Sequence, residues 1–169
     1  MLAYRHGDAG AFETLYKRHR GALYRFVLRS LHQRSAAEEL FQEVWIRVIE
    51  SRSRYAPQAR FTTWLYTIAH NLLVDHWRKK GLALASLDAE DVAVESANPA
   101  RQAEARESLG RLLKAIEALP AAQREAFLLH EEAGLTAAEI AAVTGAGEEA
   151  AKSRLRYAMT KLKAALEDE

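Results

Sequence analysis

Five basic side chains without an acidic neighbour mark one short segment near the end of the chain. Between 151 and 163 they are Lys152, Arg154, Arg156, Lys161 and Lys163, a local charge of +5 in a chain whose total is +1. A helix of this composition has the chemistry to lie against DNA phosphates and to reach base edges in a major groove. The competing interpretation is a solvated helix surface that binds nothing.

The residues just before this segment predict a helix-turn-helix that would position it. Thr136 and Glu139 have the spacing of a capping box, in which two side chains satisfy the free amides at a helix start. Gly145 follows where the chain must turn sharply, because glycine adopts a positive φ at little cost. A second helix is then expected from about Glu148. This arrangement favours DNA contact over a solvated surface.

A second set of side chains, between 60 and 80, has the chemistry to bind unstacked bases. The sequence predicts a helix from about Thr63 to Lys80, with an inward stripe of Leu65, Ile68, Ala69 and Leu72. The opposite side then carries Trp64, Thr67, Asn71, Val74, Asp75 and Arg78. An aromatic ring, an amide and a basic end provide stacking, edge hydrogen bonds and phosphate pairing. Aromatic residues beside a loop are more often part of a core, so the residues alone leave this function open.

Composition excludes several classes of protein. The 169 residues include no cysteine, which excludes disulfides, thiolate zinc sites and cysteine catalysis. The six histidines lack metal-site spacing, and no phosphate-binding loop or nucleophile elbow is present. We therefore expect no catalytic residue, no metal and no cofactor. No apolar run approaches the length that spans a bilayer and no signal-peptide core is visible, so we expect a cytoplasmic protein without membrane insertion.

Helical patterns cover nearly all of the remaining sequence. The first long helix is expected to follow Asp8 as its N-cap, and a second to begin at Ser35, which has capping-box spacing with Glu38. After Pro99 the helical pattern resumes, breaks at Leu119-Pro120 and stops at Gly134.

These patterns predict an all-α protein of two small helical domains joined by an acidic, flexible linker. The expected boundaries are 1–80, 81–99 and 100–169. Acidic residues outnumber basic ones between 81 and 107, and helical periodicity is weak in the first part of that segment. Two small domains on a tether describe a protein that binds at two places at once.

Three separated segments occur in the order found in one known family. They are AEELFQEVWIRV at 37–48, FTTWLYTIAHNLLVDHWRK at 61–79, and LPAAQREAFLLHEEAGLTAAEIAAVTG at 119–145 followed by KSRL. They resemble, respectively, the segment that binds the polymerase β′ coiled coil, the helix that melts and reads the minus-ten element, and the minus-thirty-five module. Over nearly the whole chain the sequence resembles a bacterial RNA polymerase sigma factor of the extracytoplasmic-function (ECF, group IV) type in the sigma-70 family.

The resemblance implies a non-enzymatic factor that directs transcription initiation at minus-thirty-five and minus-ten elements. Its implied partners are core RNA polymerase, through the β′ and β subunits, promoter DNA and an anti-sigma factor. The implied polymerase contacts are Glu39, Gln42 and Glu43. The implied minus-ten contacts are Arg60, Phe61, Thr62, Thr63, Trp64, Asn71, Arg78 and Lys79, and the minus-thirty-five contacts are Lys152, Ser153, Arg154 and Arg156.

The sequence departs from the family pattern at the start of the basic helix. Family members usually have a proline, a glycine and a Thr-Val pair there, whereas this chain has Gly147, Glu149, Ala150 and Ala151. Glu148 and Glu149 would repel phosphate, although acidic residues also suit a helix N-terminus. The residues after this point are therefore the better candidates for DNA contact.

Two alternatives remain open at this stage. One is a dimeric helix-turn-helix transcription regulator on a palindromic operator, with the N-terminal unit as a dimerisation or sensor domain. The other is a polymerase-binding adaptor that does not read DNA and would tolerate neutralisation of the basic helix.

Overall fold

The computed structural model describes residues 1–81 and 99–167 of the chain. These two stretches contain eight α-helices, one short 3-10 helix and no strand, which confirms the all-α prediction. The predicted linker lies almost entirely outside the described residues.

The N-terminal unit is built from three long helices with two short ones beside them. It consists of α1 (Leu2–Arg5), α2 (Ala9–Leu31), α3 (Arg34–Glu50), the 3-10 helix Arg52–Arg54 and α4 (Phe61–Lys79). Asp8 begins α2 as predicted, because its carboxylate accepts a hydrogen bond from the Ala11 amide at 3.1 Å. Phe26 of α2 and Leu65 of α4 are fully buried in the core of this unit.

The capping box predicted at Ser35 and Glu38 is wrong. The N-cap of α3 is Gln33, which makes no side-chain cap hydrogen bond. Glu38 is instead engaged by the guanidinium of Arg34, whose Nε donates to Oε1 at 2.9 Å. A local i,i+4 ion pair therefore takes the carboxylate that a capping box would need.

The C-terminal unit contains the helix-turn-helix. It consists of α5 (Pro99–Glu117), α6 (Ala121–Ala133), α7 (Ala137–Thr144) and α8 (Glu148–Glu167). The predicted break at Leu119-Pro120 separates α5 from α6, and Gly134 ends α6 with a φ of 62°. Gly145 makes the turn between α7 and α8 with a φ of 69°, a conformation that favours glycine.

The two units pack against each other, an arrangement that the sequence did not predict. α6 packs on α2, and α7 packs on α4. Buried apolar side chains from both units form one continuous cluster. Nowhere in the described stretches is there a helix with the length and apolar character to span a membrane.

This packing changes which side of α4 is buried. The buried residues are Thr63, Leu65, Tyr66, Ala69 and Leu73. Ile68 and Leu72, predicted to belong to the inward stripe, are only half-buried. The reason is that α4 contacts α2 and α3 of its own unit and α6 and α7 of the other, so a single stripe does not describe its environment.

Candidate nucleic-acid interface

The helix-turn-helix is fixed by the capping box that the sequence predicted. The Thr136 hydroxyl accepts from the Glu139 amide at 3.3 Å, and a Glu139 carboxylate oxygen accepts from the Thr136 amide at 2.9 Å. α8 buries Ala151, Ala158 and Leu162 and packs on α5, α6 and α7. Its basic side chains Lys152, Arg156, Lys161 and Lys163 are exposed, whereas Arg154 is half-buried.

The basic residues of α8 are not equivalent. Lys152 is exposed but lies between Glu148 and Glu149, with its Nζ 2.9 Å from a carboxylate oxygen of each. These hydrogen bonds to Glu149 and Glu148 raise the pKa of Lys152, so it remains charged, although its charge is locally cancelled. Arg156 is exposed, and its guanidinium lies 5.2 Å from the ring centroid of Tyr157.

Two further candidates on α8 are less accessible. Ser153 and Arg154 are both half-buried, which leaves Lys152 and Arg156 as the two exposed residues among the predicted α8 contacts. Tyr157 is 52% exposed. The sequence reasoning missed this tyrosine, although an aromatic next to Arg156 in a basic helix is a usable signal.

The start of α4 forms an aromatic cluster beside an open cavity. The Trp64 ring lies 4.9 Å from Tyr55 and 5.7 Å from Phe61, measured between centroids. Trp64 is half-buried against the core, so it does not stand on an exposed side as predicted. The cavity has a volume of about 500 Å³ and is bounded by the loop 51–59, by Thr63, Trp64 and Thr67 of α4, and by one residue of α7.

Asn71 lies at a different place from Trp64. It is exposed and lines a smaller cavity of about 170 Å³ together with Arg47, Ser51 and Asp75. The expectation that Asn71 and Trp64 face one site is therefore corrected, because they are two helical turns apart and line separate cavities.

The remaining minus-ten candidates divide between the two ends of α4. Arg60 is exposed, whereas Thr63 is buried and donates a hydrogen bond to a Glu139 oxygen at 3.2 Å. Arg78 and Lys79 are both exposed at the far end. Phe61 and Thr62, which precede Trp64, are half-buried.

α3 presents the predicted acidic cluster on its outer surface. Glu39 and Gln42 are exposed, while Glu43 is half-buried and accepts a hydrogen bond from Arg47 Nε at 2.8 Å. The sequence reasoning missed Ile46, which is 47% exposed beside this cluster. The helical pattern could have identified Ile46, because this apolar residue lies outside the buried apolar stripe of α3.

Comparison with known proteins assigns both units to one family. The family pattern of Sigma-70 region 2 matches residues 15–82, and that of Sigma-70 region 4 matches residues 109–162. The chain is 35% identical to the RNA polymerase sigma factor CarQ of Myxococcus xanthus, over 96% of this chain and 93% of that protein. It is 32% identical to the ECF RNA polymerase sigma factor RpoE of Cereibacter sphaeroides, over 94% and 87%. This chain belongs to the ECF sigma factors.

Solved structures agree with this fold. The structure of CnrH in complex with the cytosolic domain of CnrY has a TM-score of 0.71 at 24% identity and covers 99% of this sigma factor and 96% of that chain. The sigma factor RpoE of Bartonella quintana, solved with the anti-sigma factor NepR, also has a TM-score of 0.71, at 23% identity, over 94% and 98%. At these identities the likeness concerns the fold alone.

Membership of the family decides between the interpretations that the sequence left open. The protein is a sigma factor that directs promoter-dependent transcription initiation by RNA polymerase, and it is not an enzyme. Among the described residues no group of three or more His, Asp or Glu side chains is arranged to hold a metal.

Proposed function

We propose that this sigma factor divides promoter recognition between its two units. Residues 1–80 form a sigma-two domain that docks on polymerase and opens the minus-ten element. Residues 81–99 connect it to a sigma-four domain at 100–169, which holds the minus-thirty-five duplex. Two weak contacts coupled through polymerase can then offset the cost of unstacking bases, about a few kcal/mol.

The polymerase contact is assigned to the outer surface of α3. Glu39, Gln42 and Glu43 offer carboxylate and amide groups, and Ile46 adds exposed apolar area next to them. A small apolar centre with a polar rim is typical of protein interfaces. The partner we propose for this surface is the β′ subunit.

The minus-thirty-five contact is assigned to α8. Arg156 supports this best, since it is exposed and its guanidinium can contact a phosphate or a guanine edge. Lys152, Ser153 and Arg154 lie within one turn of it. The local −1 charge of the segment Glu148–Lys152 predicts that affinity comes mainly from residues after Lys152.

The minus-ten contact is assigned to α4 and to the loop before it. Most of the cavity of about 500 Å³ beside Trp64 and Thr67 is bounded by residues of the N-terminal unit, which by themselves offer a flipped base a surface to lie against. Asn71, Arg78 and Lys79 then follow the strand away from this cavity along the exposed side of α4.

Two further assignments follow from relatives of this sigma factor. A solved neighbour is complexed with an anti-sigma factor, and we propose a partner of that kind here. We also place the protein in the cytoplasm, because the polymerase and the promoter DNA that it would bind are there.

The exposed basic side of α8 is the observation that carries the proposal, and run-off transcription tests it. Core polymerase with this sigma factor should yield transcripts from members of a promoter library. Arg154→Ala with Arg156→Ala should reduce transcription and weaken upstream-element binding, and removing one phosphate contact should lower the salt slope by about 1. The matched control is Lys17→Ala, an exposed cation of α2 that pairs with Glu13 of the same helix.

Asn71→Ala separates opening from docking in the same assay. It should leave polymerase binding intact, slow opening on duplex promoters and be partly rescued on templates mismatched at the melted region. Equal loss on both templates contradicts the assignment of Asn71 to the melted strand. Unchanged transcription by the double arginine variant contradicts the assignment of α8.

A further inference from the structure

We propose that an ionic latch between the two units holds this sigma factor in a closed state that cannot engage both promoter elements at once. The latch consists of three acids of the C-terminal unit, Glu125, Glu132 and Glu139, and their partners on α2 and α4. The proposal rests on the proposed function, because that function assigns α4 and the loop before it to the minus-ten element, and these segments contain Thr63 and Arg60.

Glu132 of α6 lies between two arginines of α2. Its carboxylate accepts a hydrogen bond from Arg25 Nε at 2.9 Å and another from Arg29 Nη1 at 2.6 Å. Only 7% of the Glu132 side chain is exposed. Burial raises the pKa of the Tyr66 hydroxyl on α4, and the Glu132 charge raises it further, so the carboxylate also acts on the core of the N-terminal unit.

Glu139 of α7 connects the helix-turn-helix to the start of α4 and to the residue just before it. Both its carboxylate oxygens lie 3.2 Å from Arg60 Nη1, and one accepts a hydrogen bond from the Thr63 hydroxyl at 3.2 Å. The hydrogen bond from the Thr136 amide lowers the pKa of Glu139 most, and Thr63 and Arg60 lower it further. One carboxylate therefore caps α7 and also occupies two residues assigned to DNA.

The third contact has the same polarity. His70 Nδ1 of α4 lies 2.6 Å from a carboxylate oxygen of Glu125 on α6, and 13% and 14% of these side chains are exposed. In all three contacts the acid belongs to the C-terminal unit, and the cation, imidazole or hydroxyl belongs to the N-terminal unit. The two surfaces are thus complementary in charge, which fixes their register.

The closed state brings together parts that promoter binding must separate. α7 contacts the start of α4 directly, whereas α8, the next helix, is assigned to duplex two to three turns upstream of the melted site. That length of duplex is about 70 to 110 Å. Arg60 and Thr63 cannot remain on Glu139 while the two units occupy elements so far apart. Promoter binding therefore requires the latch to open.

The chemistry of the latch suits a reversible contact. Charges that leave a partly buried ion pair recover their hydration, so opening the whole latch costs little, whereas neutralising one partner leaves the other charge buried and unpaired in the closed state. Opening the latch does not remove the N-terminal cap of α7, because Glu139 keeps its hydrogen bond with Thr136. Contacts that favour the open state, such as those with polymerase, then shift the population by their differential affinity.

Distance measurement between spin labels tests the latch without DNA or polymerase. The chain has no cysteine, so Ser35→Cys on α3 and Ala164→Cys on α8, both exposed positions, give one label per unit in the full chain. Electron-spin distance measurement should give one narrow distribution in the closed state and a longer, broader one after opening. Glu132→Gln with Glu139→Gln should lower the closed-to-open ratio by about tenfold or more, as expected for charged hydrogen bonds.

The variants are chosen so that the fold survives. Glutamine at position 139 still completes a capping box. Glu13→Gln is the control, because Glu13 pairs with Lys17 along the same helix rather than across the two units.

The latch is overturned if the double glutamine variant keeps the native distance distribution. It is also overturned if the native chain is already open at low salt. Neither result affects run-off transcription, so failure of the latch and failure of the proposed promoter contacts are distinguishable.

Discussion

Neutralising the two acids at the start of α8 is expected to strengthen DNA binding by this sigma factor. Glu148 and Glu149 both contact Lys152, so the first turns of α8 hold two acids and one lysine, a net charge of −1. Glu148→Gln with Glu149→Gln changes that charge to +1. The two acids lie at the N-terminal end of α8, just before the proposed DNA contacts, where their negative charge repels the DNA phosphates.

The size of the effect follows from Coulomb's law. At about 8 Å from a phosphate in water, one charge contributes about 0.5 kcal/mol. At physiological ionic strength, screening over the same distance reduces this to about 0.2 kcal/mol. Two charges therefore predict an affinity gain of about twofold at physiological salt and about fivefold at low salt. Removing two acids from a helix N-terminus also lowers the stability of the fold, by up to about 1 kcal/mol each, but this does not reduce the affinity gain.

Fluorescence anisotropy with a labelled duplex at low and physiological salt measures the gain. The matched control is Glu38→Gln, which removes one exposed acid from an i,i+4 pair at the start of α3. The reasoning is refuted if the double variant binds DNA no more tightly than the native chain at low salt. It is also refuted if the control gains as much per charge, because net charge rather than position would then explain the effect.

Three further outcomes are expected. Burial, and secondarily Arg124, lowers the pKa of His32 from 6.5 to about 4, so the stability contributed by neutral His32 is present above pH 6.5 and is lost as the pH falls toward 4. His32→Asn is compatible with the left-handed backbone at φ 55°, because asparagine tolerates that conformation. In urea unfolding, this variant should lose up to about 2 kcal/mol less stability than the native chain when the pH is lowered to 5. An unchanged pH dependence would contradict this. Thr136→Ala should cost about 1 kcal/mol by loss of the α7 cap, measured by thermal unfolding, and a melting temperature equal to the native value would be inconsistent with the cap. Gln42→Ala with Glu43→Ala should leave the melting temperature nearly unchanged and weaken core polymerase binding in a pull-down, whereas normal polymerase affinity would remove this cluster from the interface.

Local features of the fold were predictable from the sequence because a few neighbouring residues decide them. Asp8, Gly134, Gly145 and the Thr136 capping box each act within one helical turn, through a cap hydrogen bond or a left-handed backbone. Ser35 is the counter-example. Its capping box has the right spacing but competes with an equally local ion pair on Glu38.

The candidate site was predictable as a set of residues rather than as a geometry. The exposed positions of Gln42 and Arg156 follow from helical periodicity and are found in the structure. The half-buried state of Trp64 and the separate cavity of Asn71 do not, because they depend on the loop 51–59 and on α7 beside α4.

The sequence by itself determined the helices, their caps, the order of the two units and the basic character of α8, since each is set by spacing along one helix. Only the tertiary structure decided how the units meet. Glu132 and Arg25 are separated by 107 positions, and Glu139 and Arg60 by 79. No periodicity relates residues so far apart. Their contact depends on the packing of α6 on α2 and of α7 on α4, which exists only once both units have folded.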